Sequence, residues 1–322
     1  MIRNYLTIAW RNFQRQKMFV LLNSFGLALG LASAILIFLY VNDELQYDSM
    51  HPRSKDTYRV GIKFTNGEGQ TFNNTVAPGH LLKVAKETRT EVEAMTRVDY
   101  IGYPTSLHHK AADKIILTEE IKWVEPDFHK VVWFSLAKGN LDKIFEKNNA
   151  MIISEAGAQR LFGDRDPIGE IVSVKHNFAT QGKEIDVEIT GVFHAFPSNS
   201  HFKANYILNV NALKEVVTNF DSYMEGSRFE NIEFFESYLV LKPGADPTQV
   251  ENTLSKTANE MIQSDSGAVA QGFKASAFMM KLEDLHFDPE NLWENDGTRG
   301  DKMYLAIFSG VAIMILFIAC IN

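Results

Sequence analysis

Two stretches of this chain carry no charged side chain, and the long region between them changes periodicity from segment to segment. Met18 to Val41 runs for 24 residues without a charge. As a helix rising ~1.5 Å per residue it spans about 36 Å, more than the ~30 Å of a bilayer core. The last 20 residues, Met303 to Asn322, are again uncharged and almost wholly apolar. A lone segment of this kind also fits a buried core helix, but two of them bracketing a charged middle predict membrane spans over 18–41 and 303–322. Ahead of the first span, Ile2, Leu6, Ala9, Trp10 and Phe13 fall on one arc of a helical wheel, with Arg11 and Arg15 pointing away and Ile8 off the pattern. Residues 1–17 therefore predict an amphipathic helix lying on the membrane surface, with Trp10 at the headgroup level.

Between the spans, strand-like and helix-like stretches follow one another. Thr57 to Phe64 reads as a strand ended by the turn Asn66-Gly67. Pro78 to Thr88 reads as a helix that offers Leu81, Leu82, Val84 and Ala85 for packing, and Val92 to Tyr100 and Lys114 to Val124 read as extended. Ser154 to Phe162 is a short helix with Ser154 as its cap and Gly163 just past its end. Residues 164–169 form a turn, after which Glu170 to Lys175 and Ile185 to Phe193 alternate as strands. Ser237 to Leu241 is a strand stopped by Pro243-Gly244. Asp246 then caps a helix with Pro247 in its first position and Val250, Leu254, Ala258 and Met261 along one stripe. Ala277 to Phe287 returns as an extended segment. The expected fold class is an α+β outer domain, two βαβ-like units around a β-rich insertion, flanked by two transmembrane helices.

Charge orients this arrangement. Residues 1–17 hold Arg3, Arg11, Arg15 and Lys17 and no acid, whereas Asp43, Glu44 and Asp48 follow the first span. A Lys/Arg excess marks the cytoplasmic side, so residues 1–17 are expected inside and 42–302 outside. With a total of −8 and +4 at the start, residues 42–302 hold −12, which argues against nucleic acid as a partner. A secretory signal peptide is the competing explanation of residues 1–41, with Ala32 and Ala34 as small residues. Its apolar core is longer than the ~7–15 residues such peptides use. The single cysteine, Cys320, lies in the second span, so the outer region forms no disulfide and folds on its core alone.

The search for chemistry returns little. The nearest stretch to a phosphate loop, Gly163 to Gly169, has no Lys to reach a phosphate. The chain has no G-x-S-x-G elbow, H-E-x-x-H helix or C-x-x-C pair. His108 and His109 are adjacent, so a strand turns them to opposite sides. His194 and His201 bracket the turn at Pro197 without an evident third ligand, which favours loop histidines over a metal site. Glu119-Glu120 and Glu283-Asp284 read as solvated faces, and the sequon Asn73-Asn74-Thr75 would carry no meaning if the chain were bacterial. No catalytic, cofactor or metal residue is expected.

The opening NYLTIAWRNFQRQKMFVLLNSFGLALGLASAILI resembles the start of MacB/FtsX-type ABC transporter permeases. The stretches SEAGAQRLFGDRDPIGEIVSV at 154–174, ITGVFHAFPSNSHF at 189–202, YLVLKPGADP at 238–247 and IFSGVAIMILFIACIN at 307–322 resemble them in the same order. No one stretch is diagnostic; five in order are. The two-repeat permeases common in Bacteroidetes are the most similar group. The resemblance implies a transporter subunit in a bacterial inner membrane, multi-pass, that pairs with a separate cytoplasmic ABC ATPase and so needs no phosphate loop of its own. It also implies an outer domain with a two-part porter-like module and an inserted β-rich module, moved by ATP-driven closure of the ATPases. Membrane lipid is an expected partner, and a periplasmic adaptor or envelope protein a further one. Arg3, Trp10, Arg11 and Phe13 match the membrane-surface helix that precedes the first span in such permeases, with a structural or coupling role. Family members carry about four membrane helices per repeat, so the chain is expected to be a fragment lacking at least two helices and the ATPase-docking loop. The alternative is an FtsX-like membrane regulator or sensor whose outer domain binds an envelope protein or ligand; an anchored envelope hydrolase lacks any nucleophile–base pair. Lipoprotein release, peptide or drug efflux and lipid handling all remain open.

Overall fold

The computed structural model describes residues 15–99, 104–227, 234–288 and 300–321. Helix α1 covers Lys17–Leu45, followed by strands β1 (Thr57–Thr65), β2 (Thr71–Asn74) and β3 (Ala77–Pro78), then helix α2 (Gly79–Thr88). Next come β4 (Val92–Asp99), β5 (Thr105–His109), β6 (Lys114–Thr118), β7 (Ile121–Val124), α3 (Phe128–Val131), β8 (Leu136–Gly139), β9 (Ala150–Ser154) and α4 (Glu155–Phe162). The chain continues through β10 (Ile171–Lys175), β11 (Glu184–Phe193), β12 (Tyr206–Asn209) and α5 (Phe220–Glu225). It closes with β13 (Phe234–Leu241), α6 (Pro247–Gln263), α7 (Ser266–Ala270), β14 (Lys274–Lys281) and α8 (Lys302–Ile321). These elements fall into two compact units, one of residues 1–47 with 299–322 and one of residues 48–298.

The first unit is an antiparallel pair formed by α1 and α8, both long and apolar enough to cross a membrane. Small residues set their approach. A Cβ on Gly30 would meet the Cβ of Ala319 at 2.9 Å, and Ala34, Ala312 and Ala319 are buried along the seam. Further along, Tyr40 and Phe308 meet edge to face with ring centroids 5.8 Å apart. Most large apolar side chains of both helices point outward, as lipid-facing surface requires.

In the second unit all the described strands join one sheet, whose main path runs β14-β1-β13-β4-β7-β12-β9-β11-β10-β5-β6. The two βαβ halves do not stand side by side. β1 pairs antiparallel with both β13 and β14, and β13 with β4. β1–α2–β4 and β13–α6–β14 therefore interlock as a split βαβ sheet. One face of this porter sheet packs Val60, Ile62 and Leu239 against Leu81 and Leu82 of α2 and Val250 and Leu254 of α6. Strands β5 to β12 form the insertion, joined to the porter sheet where Val98 and Asp99 of β4 pair with Val124 and Trp123 of β7. Their own core holds Trp123, Met151, Ile153, Leu161, Val187 and Leu208.

Local capping chemistry explains several boundaries. Ser154 Oγ accepts the N–H of Gly157 at 2.9 Å, and Gly163 takes φ +62° past the helix end. Asp246 accepts the N–H of Thr248 at 3.0 Å ahead of Pro247. Two extended segments differ from expectation. Residues 114–124 break into β6 and β7 at Glu119-Glu120, where Thr118 Oγ1 accepts the Glu120 N–H at 3.1 Å. The strand expected over 277–287 ends at Lys281, and Leu282–Phe287 winds as a 3₁₀ helix that buries Leu282 and Leu285, three residues apart.

Candidate functional site

Arg59 on β1 lies directly opposite Tyr238 on β13. Its side chain leaves the helix-covered face and enters the other side of the sheet, where the insertion closes over it. There Arg59 Nη1 donates to Tyr238 Oη at 2.6 Å, and Nε donates to the Thr75 carbonyl at 2.9 Å. The guanidinium carbon sits 5.0 Å from the Tyr238 ring centroid. Two residues before Tyr238 on the same face, Glu236 accepts from Lys122 of β7 at 3.0 Å and lies 4.0 Å from Arg59 Nη1. Phe202, 5.2 Å from the Tyr238 ring and 5.7 Å from Phe128, walls this cluster with apolar surface.

The cluster reaches the residues that follow helix α1. His201 Nε2 is 3.0 Å from Tyr238 Oη, and its Nδ1 is 2.8 Å from Asp48 Oδ2. Asp48 Oδ1 accepts the Ser200 hydroxyl at 3.2 Å and the His201 backbone N–H at 3.0 Å, and the Asp48 N–H donates to Asn199 O at 2.8 Å. Asp48 takes φ +56°, a left-handed conformation that Asp tolerates better than bulkier residues. His51 Nδ1 accepts the Trp133 N–H at 3.0 Å, and its Nε2 lies 3.7 Å from Asp48 Oδ1. Asp48 thus gathers the post-helix segment, the 199–202 loop that leaves the insertion and, through His201 and Tyr238, the porter sheet.

Two carboxylates here resist protonation. Burial raises Asp48, but the neighbouring His201, the bond from its backbone N–H and the nearby His51 outweigh it and hold the carboxyl well below the usual range. Burial also raises Glu236, and the cations of Lys122 and Arg59 pull it down to about 2. Glu236 faces two permanent cations and Asp48 two histidines, in a setting where Asp48, Arg59 and Tyr238 are all but sealed from solvent. The arrangement leaves no open face for a reactant. Its chemistry is that of a tie, because removing one member of a buried ionic set strands the others.

The expected surface-helix residues Arg3, Trp10, Arg11 and Phe13 lie outside the described residues, as does Tyr100 at the end of its expected strand. His108 and His109 do face opposite ways, His109 buried against Glu170 at 3.0 Å and His108 partly exposed, 3.5 Å from Asp113. His194 and His201 are drawn to different partners, Glu155 at 3.0 Å for the first and Asp48 for the second. Among the described residues no three His, Cys, Asp or Glu side chains are grouped to hold a metal. Sequence reasoning took Asp48 as one of three flanking acids and His201 as a loop histidine. The available signal was that His201 falls within the stretch 189–202 by which the chain resembles those permeases.

A family model described as the MacB-like periplasmic core domain matches residues 20–257. The search of curated proteins returns no match. Among solved structures, a domain assigned to a permease of Porphyromonas gingivalis superposes with a TM-score of 0.52 at 19% identity, covering 71% of this chain and 91% of that one. The periplasmic region of MacB from Actinobacillus actinomycetemcomitans gives a TM-score of 0.44 at 14% identity, over 73% of this chain and 93% of that one. The extracellular domain of the noncanonic ABC-type transporter YknZ from Gram-positive bacteria gives 0.40 at 16% identity, over 68% and 99%. At these identities the first likeness concerns the fold alone.

Proposed function

Since the chain belongs to the family of MacB-like periplasmic core domains, an ABC-type permease family, we propose that it couples a separate cytoplasmic ATPase to movement of its outer domain. The observation that carries this reading is the buried tie at Asp48, three residues beyond the end of α1 at Leu45. A membrane helix can drive an outer domain only if the segment leaving it is held firmly. Here that segment is bonded to the insertion through Ser200 and His201 and to the porter sheet through Tyr238 and Arg59. Displacement of Asp48 would draw on both modules together, which suits a transmission role better than a ligand sensor confined to one of them.

On this reading the protein is a multi-pass subunit of a bacterial inner membrane, with residues 1–17 inside and 42–302 in the periplasm. Arg3, Trp10, Arg11 and Phe13 rest on the inner lipid surface, and an adaptor or envelope protein is met outside. The test is purification of the full-length protein in detergent from the cells that make it, with identification of what accompanies it. A stoichiometric ABC ATPase is the expected result. An envelope protein accompanying it in place of an ATPase would refute the coupling reading and leave the regulator in its stead.

A further inference from the structure

Strand β4 is open along most of one edge. It pairs with β13 from Val92 to Val98, whereas β7 meets its other edge only at Val98 and Asp99. In an antiparallel ladder alternate residues turn both backbone groups to the same edge. The Arg97 N–H lies on the outer edge, because it donates to Glu125 Oε2 at 2.8 Å. Two residues earlier the N–H and C=O of Met95 face outward as well, and among the described residues no strand takes them. Two residues earlier again, the Glu93 carbonyl accepts from Lys86 Nζ at 2.5 Å.

The open edge borders a cleft of about 260 Å³ lined by Lys86, Ala94, Met95, Glu125, Pro126 and Asp127. That is room for several waters, not one. The charges along it are not equally satisfied. Glu125 is engaged by Arg97 and Asp127 by Lys130, but Lys86 has only carbonyl partners and no carboxylate among the described residues. An unpaired strand edge recruits another strand through its backbone groups, and a cation at the end of that edge selects a negative charge on the incoming chain.

We propose that this edge binds an extended peptide segment that adds antiparallel to β4, exchanges both backbone hydrogen bonds with Met95 and sets a carboxylate against Lys86. Exchange of both hydrogen bonds with one residue is the antiparallel pattern, and that direction fixes where the carboxylate sits in the peptide. β4 runs from the Lys86 end towards Glu125, so an antiparallel peptide brings its C-terminal side, and the carboxylate found there, to Lys86. The proposal goes beyond the coupling role and does not depend on an ATPase.

The test uses the full chain in detergent and a fluorescein-labelled peptide, Lys-Thr-Val-Thr-Val-Glu, followed by fluorescence anisotropy. Saturable binding is expected. N-methylation of the valine that meets Met95 removes a backbone donor without touching the protein and is expected to weaken binding by about tenfold or more, the loss of roughly one hydrogen bond. Lys86→Glu, at a helix surface position, is expected to weaken it similarly and to favour the peptide with its end charges exchanged. Absence of saturable binding at millimolar peptide would overturn the proposal, as would equal affinity for the N-methylated peptide.

Discussion

Replacing Asp48 by Asn keeps the side-chain shape and removes the charge. It also keeps the backbone, since Asn tolerates the left-handed conformation seen at φ +56° as readily as Asp. The carboxylate accepts the Ser200 hydroxyl at 3.2 Å and the His201 N–H at 3.0 Å, and faces His201 Nδ1 at 2.8 Å. Hydrogen bonds to a charged group contribute roughly 1.5–3 kcal/mol and neutral ones roughly 0.5–1.5. Weakening three interactions by about 1 kcal/mol each places the cost of Asp48→Asn near 3 kcal/mol. For an outer unit of this size that corresponds to a fall in Tm of roughly 6–12 °C. The assay is thermal unfolding of the full chain in detergent, read from its four tryptophans. The matched control is Asp113→Asn, whose side chain is 96% exposed and whose replacement is expected to stay within about 0.5 kcal/mol. The double variant with His201→Gln should lose clearly less than the sum of the two single losses, because both act on one contact. An Asp48→Asn shift no larger than that of the control would refute the argument that this carboxylate holds the junction.

The same charges set an acid limit. Asp48 and Glu236 titrate lower when folded than when unfolded, so the unfolded chain binds more protons as pH falls. Their contribution is present above the ordinary carboxylate range and is lost as pH falls from about 4.5, that of Glu236 down to about 2 and that of Asp48 lower still. Chemical denaturation over that range is expected to show a steep loss of stability that Glu236→Gln flattens. Gly79→Ala should destabilise the start of α2 by more than a surface substitution, since its Cβ would lie 2.0 Å from the backbone oxygen of Met224. Urea unfolding measures the loss, and a variant within about 0.5 kcal/mol of the parent would show that the α2–α5 contact yields easily.

Elements announced by local chemistry were legible in the sequence. The Ser154 cap, Gly163 and the pair Asp246-Pro247 act through neighbours one to three residues away, and the buried stripe Val250, Leu254, Ala258 and Met261 repeats at helical spacing. Short buried strands were not. β9 and β12 read Ala-Met-Ile-Ile-Ser and Tyr-Ile-Leu-Asn, too brief and uniformly apolar to show a period. The junction was hidden for a different reason. Alternation in β1 puts Tyr58, Val60 and Ile62 on the core side and consigns Arg59 to the other face, which a half-solvated sheet would leave wet. Only the insertion, whose His201 and Phe202 lie more than a hundred positions away, dries that face and turns Arg59 into a buried partner of Tyr238. Pairings at such separation leave no trace in a local pattern.

The interlocked porter sheet also dictates an order of assembly. Arg59 meets its partner Tyr238 at a separation of 179 positions, so β1 has neither of its long neighbours when it is first made. At roughly 5–20 residues per second, synthesis leaves it waiting about 10–40 s for β13. The insertion pairs mostly with itself and is complete before the porter is. Its folding shortens the gap that the two porter halves must close, which lowers the entropic cost of joining them. Until then the apolar side of β1 and α2 is exposed and prone to association, a demand on chaperones created by the splitting of one small sheet around another.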